Sequence, residues 1–72
     1  MHFETLMKKA QAGDAEAQYE LACVYLDEDG DHFDYSAALE WMFESAENGC
    51  DAAIEYLKEL LHGEDLRAES YD

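Results

Sequence analysis

Residues 27 to 34, DEDGDHFD, gather five carboxylates, one imidazole and one glycine in eight positions. Cation binding is the first chemistry such a stretch could do. A calcium loop of the EF-hand type needs acids at positions 1, 3 and 5, glycine at 6 and a bidentate glutamate at 12. With Gly30 at position 6, Tyr25 falls at 1 and Ser36 at 12; starting instead at Asp27 puts His32 at 6 and Ala38 at 12. Both registers fail. Loose attraction of a divalent cation to Asp27, Asp29, Asp31 and Asp34 stays open, but no metal site is expected. His32 has neither a nucleophile nor a second histidine at catalytic or ligand spacing. Ser36, Ser45 and Ser70 lie in no nucleophile motif, and Gly13 and Gly49 form no phosphate loop. The acids are spread too evenly to single out an acid/base pair. The expectation is a non-enzyme without a cofactor.

The charge has a second use. The 72 residues carry 19 Asp and Glu against 4 Lys and Arg, formally −15. From Ala10 to Leu57 there is no Lys or Arg at all. A body so charged repels nucleic acid and anionic membranes and attracts basic surfaces. Trp41, five Tyr and three Phe argue for a folded chain rather than an acidic tail. No run approaches the ~20 apolar residues that span a bilayer, and the start, MHFETLMKKA, lacks the apolar core of a signal peptide. Cys23 and Cys50 are too few for a disulfide framework, so both are expected as free thiols in the cytoplasm.

These groups must be positioned by helices. The chain has no proline. It also repeats: Ala10 and Ala46, Gly13 and Gly49, Ala17 and Ala53, and Leu21 and Leu57 are each 36 residues apart. A fixed period of this size marks stacked supersecondary units. Each glycine falls where a helix would end in a left-handed residue. Asp14 and Asp51 follow as N-terminal caps or first-turn acids. The spacing predicts helices over 3–11, 15–26, 35–48 and 52–62, the last ending at Gly63, with 64–72 a frayed acidic tail. Apolar stripes at i, i+3, i+4, i+7 assign core faces: Phe3, Leu6, Met7 and Ala10; Ala17, Leu21, Val24 and Tyr25; Ala38, Leu39, Met42, Phe43 and Ala46; and Ala53, Ile54, Leu57, Leu60 and Leu61. The loop that opened the question then connects two helices, with Gly30 turning the chain, Asp34 capping the third helix, and Tyr35, Ala38 and Trp41 beginning its packed face.

Gly13, Ala17, Leu21, Ala22, Tyr25, Gly30, Asp34, Tyr35, Ala38, Trp41, Ala46 and Gly49 together resemble the unit of the Sel1-like repeat, a relative of the tetratricopeptide repeat. The resemblance covers one full unit, residues 13–49, flanked by half units. It implies an all-α fold of about four antiparallel helices in a short solenoid, domain 1–63. The chain departs from the family at Glu28 (usually glycine), Asp31 (usually valine), and Ala37 and Glu44 (usually lysines), each change making it more acidic. Some members are cross-linked by paired cysteines within a repeat, but the partner position is absent here. Such arrays act as scaffolds along a concave surface lined by the first helix of each unit. By resemblance that surface holds Glu16, Tyr19, Glu20 and Cys23.

The acids recur in stripes: Glu16, Glu20 and Asp27; Glu40, Glu44 and Glu47; Asp51, Glu55 and Glu59. Residues four apart on a helix rise about 6 Å, and like charges at that spacing oppose helix stability. Solvation of an outer face and adaptation to high salt are the plain explanations. The functional one is docking on a basic protein surface through Glu16, Tyr19, Glu20, Asp27, Asp29, Asp31, Glu40, Glu44 and Glu47. Its sharpest form is a small inhibitor that mimics nucleic acid, whose duplex carries one charge per ~1.7 Å of axis, and so blocks a nucleic-acid-binding protein. The alternative is a scaffold fragment that binds through its concave face, with the acids serving solubility. Solenoids usually need three or more units. With about two, a homodimer through an exposed end is also expected, and Phe3, Met7, Leu60 and Leu61 are the residues to watch there.

Overall fold

Four α-helices and no strand make up residues 3–69, the part of the chain that the computed structural model describes. They are α1 (Phe3–Gln11), α2 (Ala15–Leu26), α3 (Tyr35–Glu47) and α4 (Asp51–Glu69). The protein is all-α, as its punctuation predicts. None of these helices is long and apolar enough to cross a membrane.

Both short connectors use one backbone device. After α1, Asp14 N–H donates to Lys9 O and Gly13 N–H to Ala10 O, each at 3.1 Å. After α3, Cys50 N–H donates to Ser45 O and Gly49 N–H to Ala46 O, each at 3.0 Å. These are the paired bonds of a Schellman turn, which needs a left-handed residue just past the helix. Gly13 has φ +101° and Gly49 φ +96°. A Cβ would touch nothing at either position, so the demand for glycine is conformational, about 1–2 kcal/mol for another residue.

The helix starts are set by side chains. Asp14 Oδ1 accepts from Glu16 N–H at 3.1 Å and Ala17 N–H at 3.2 Å. Asp34 Oδ1 accepts from Ala37 N–H at 3.1 Å. Asp51 is the first residue of α4 rather than its cap, where its charge complements the helix dipole. The long connector is folded on itself: Asp27 Oδ1 accepts from Asp29 N–H at 3.1 Å, Gly30 N–H donates to Asp27 O at 3.0 Å, and Asp34 N–H donates to Tyr25 O at 2.8 Å. Gly30 does turn the chain, but without a positive φ. A Cβ there would lie 3.3 Å from Asp27 Oδ2, so close approach is what favours glycine.

Packing follows chain order: α1 on α2, α2 on α3, α3 on α4. Helices joined by such short connectors run antiparallel. The core has two lobes. Ala10, Ala17 and Leu21 gather Phe3, Leu6, Met7 and Tyr25, while Ala22, Met42 and Ala53 gather Tyr19, Leu26, Ala46, Cys50, Tyr56 and Leu57. Trp41 belongs to both lobes. The buried alanines are at most 4% exposed, which lets the helix backbones approach closely.

Several expectations are corrected. On α3 the inward row is Ala38, Met42 and Ser45, so Phe43, one residue or about 100° round from Met42, is 54% exposed. Tyr35, expected on the packed face, does lie on the inward row, seven residues before Met42, but as the first residue of α3 it is 47% exposed. On α4 the core takes Ala53, Tyr56 and Leu57 from the early turns, and Leu60 and Leu61 beyond that contact are exposed. The helix does not stop at Gly63 but continues to Glu69. Glycine inside a helix costs only ~1 kcal/mol, and helix formers follow it. Of the expected tail, residues 70–72 lie outside the described part. Of the four residues watched for exposure at the open ends, Leu60 and Leu61 are exposed, while Phe3 and Met7 are half-buried against the first lobe.

Candidate functional site

Two buried polar side chains join the helices around α2. Gln18, 3% exposed, donates Nε2–H to Ala10 O at 2.9 Å, and its Oε1 accepts from Asn48 Nδ2–H at 2.9 Å. Ser45, fully buried, donates Oγ–H to Ala15 O at 2.6 Å. Among the described residues no buried side-chain nitrogen or oxygen is left without a partner. Gln18 therefore ties the end of α1 and the end of α3 to the first turn of α2. Sequence patterning gave no sign of this, because glutamine and serine on a helix normally face water.

Above Gln18 lies a groove of about 680 Å³. Gln11 and Gly13 edge it on the α1 side, and Glu40, Trp41, Phe43, Glu44 and Asn48 on the α3 side. Glu40 and Phe43 are three apart, as are Trp41 and Glu44, while Glu40 and Glu44 are four apart. Such pairs are neighbours on a helix surface, with Cβ atoms about 5–6 Å from each other. The result is two exposed carboxylates interleaved with one exposed and one half-buried aromatic ring. Among the described residues no Lys or Arg lines the groove.

The remaining candidates lie elsewhere. Tyr19 is half-buried and packs on the second lobe with Cys50 and Tyr56. Its hydroxyl is held above the ordinary tyrosine range, chiefly by the charge a Cys23 thiolate would place beside it and then by its interaction with that sulfur. Burial pushes the Cys23 thiol up, the nearby Glu20 adds to this, and Tyr19 opposes it. Tyr56 is raised by burial first and by Tyr35 second. Glu16 and Glu20 are exposed on α2 but do not line the groove, nor does exposed Glu47. Asp27, Asp29 and Asp31 are exposed in the connector. Among the described residues no three His, Cys, Asp or Glu side chains are grouped to hold a metal ion. His32 instead stacks its ring on Phe3, with centroids 4.0 Å apart and planes 7° from parallel, and Phe3 meets Tyr25 edge-on at 5.9 Å.

Of the nine residues expected to bind a partner, then, the groove gathers Glu40 and Glu44. It adds Trp41 and Phe43, which the apolar pattern assigned to the core. No family model, curated protein or solved structure matches the chain.

Proposed function

We propose that this chain is a non-enzymatic protein-interaction module, built on the Sel1-like plan, whose acidic surface docks on a basic partner. The observation that carries the reading is the α3 face. Glu40, Glu44 and Glu47 are all exposed, their helix carries no Lys or Arg, and Glu40 and Glu44 flank exposed Phe43 at a groove without a basic side chain. Paired Schellman turns 36 residues apart and packing in chain order support the repeat plan. The free thiols Cys23 and Cys50 fit a reducing compartment such as the cytoplasm.

In its sharpest form the module is an inhibitor that occupies a site built for phosphates. Carboxylates recurring about every 4.5–6 Å along α3 supply a row of negative charge on a rigid rod. Binding through Tyr19 as a scaffold has less support, because that ring is already committed to the core.

Reversing Glu40, Glu44 and Glu47 to Lys should weaken capture of the partner at least tenfold, about 1.4 kcal/mol, and flatten its salt dependence. The partner itself is found by affinity capture from the host lysate with stepwise salt elution. Release at moderate salt and displacement by duplex DNA support the mimic. A partner without a nucleic-acid site, held through high salt and indifferent to the triple change, would overturn it.

A further inference from the structure

The groove narrows the chemistry of the partner, and this step rests on the reading just given. We propose that the groove anchors an arginine side chain, carried on an extended segment of the partner, between the carboxylates of Glu40 and Glu44 and the exposed ring of Phe43. Three features select it. The carboxylates are four apart on one helix without a neighbouring base, so they repel each other until a cation lies between them. Phe43, interleaved with them and 54% exposed, offers a face on which a planar guanidinium stacks, and the guanidinium's fork of N–H donors pairs with a carboxylate through two bonds. Lysine offers a point charge that stacks less well and stays more strongly hydrated.

Other occupants fit worse. A metal ion lacks a third ligand among the described residues. An anion meets two carboxylates and no base. A purely apolar side chain would strip water from both glutamates and return nothing to them. The volume, about 680 Å³, exceeds one side chain and leaves room for the adjoining backbone. The floor is held in place before binding, since Gln18 is bonded to both Ala10 O and Asn48. A rigid site loses less entropy on docking.

The chain has one tryptophan, Trp41, so its emission reports on the groove itself. The probes are tetra-arginine and tetra-lysine peptides, acetylated and amidated, titrated at low salt with calorimetry for affinity. Two double variants remove equal charge: Glu40→Gln with Glu44→Gln in the groove, and Glu55→Gln with Glu59→Gln on α4 outside it. The arginine peptide should bind about fivefold or more tighter than the lysine peptide and shift Trp41 emission. The groove pair should weaken it about tenfold, and the α4 pair by about twofold at most, the share owed to the general field. Phe43→Ala, at an exposed position, should reduce arginine binding without lowering the melting temperature.

If both peptides bind equally and both double variants weaken them alike, the acidic surface still attracts bases but the groove does not select arginine. Selection by the groove is equally overturned if Phe43→Ala leaves arginine binding unchanged. If neither peptide binds, the acidic-surface reading fails together with the groove.

Discussion

On one flank of α2, Tyr19 lies with Cys23, Cys50 and Tyr56; on the next, Gln18 floors a groove edged by Trp41 and Phe43. Both flanks pair aromatic rings with glutamates one turn or less away. Only one leaves a ring largely in solvent. Tyr19 is spent on packing against Ala22, Met42 and Ala53, and it holds its proton more tightly chiefly because of the charge that Cys23 would place beside it. Phe43 is turned away from the core because Met42 beside it fills the inward position. An aromatic residue near acids is therefore no guide to binding until its share in the core is known.

The largest effect should come from the core of α2, the helix that both flanks share. Leu21 is fully buried on α2, and Leu21→Ala should cost about 2–5 kcal/mol. A chain of this length has roughly 4–11 kcal/mol in total, so much of its stability would go. Denaturant titration checks this, and a loss below about 1 kcal/mol would mean that Leu21 does not anchor the first lobe as described.

A smaller effect separates the flanks directly. Tyr19→Ala should destabilise by about 1–3 kcal/mol, whereas Phe43→Ala should stay within about 0.5 kcal/mol. Equal losses would erase the distinction drawn between them. The smallest effect is on pH. Cys23, Tyr19 and Tyr56 all titrate above their ordinary values of 9.0, 10.0 and 10.0 in the folded chain. Their contribution to stability is fully present below about pH 9 and is lost as pH rises through the folded values. The denaturation midpoint should fall between about pH 9 and 11. A flat profile over that range would mean that Tyr19, Cys23 and Tyr56 are not coupled in the folded chain as described.

Much of the fold was legible because its signals are local. The expected bounds of α1 and α2 coincide with those observed, and α3 ends one residue early, at Glu47. Gly13, Gly49, Asp14 and Asp34 act within a few residues of themselves through φ or a side-chain bond to nearby N–H groups. Gly63 misled, since a glycine ends a helix only when the backbone beyond it turns away. The candidate site was half legible. Glu40 and Glu44 stood out by charge, but Gln18, Trp41 and Phe43 did not.

What the residues determine by themselves, then, is the set of helices, most of their ends, and a surface without bases from Ala10 to Leu57. What only the tertiary structure decided is which part of each broad apolar stripe meets a neighbour. An apolar stripe is at least about 100° wide, so one residue of rotation changes which side chains are buried and leaves the pattern unchanged. Packing against α2 settled that rotation for α3, placing Ser45 inside and Phe43 at the groove. The contact made by its early turns left Leu60 and Leu61 of α4 in solvent.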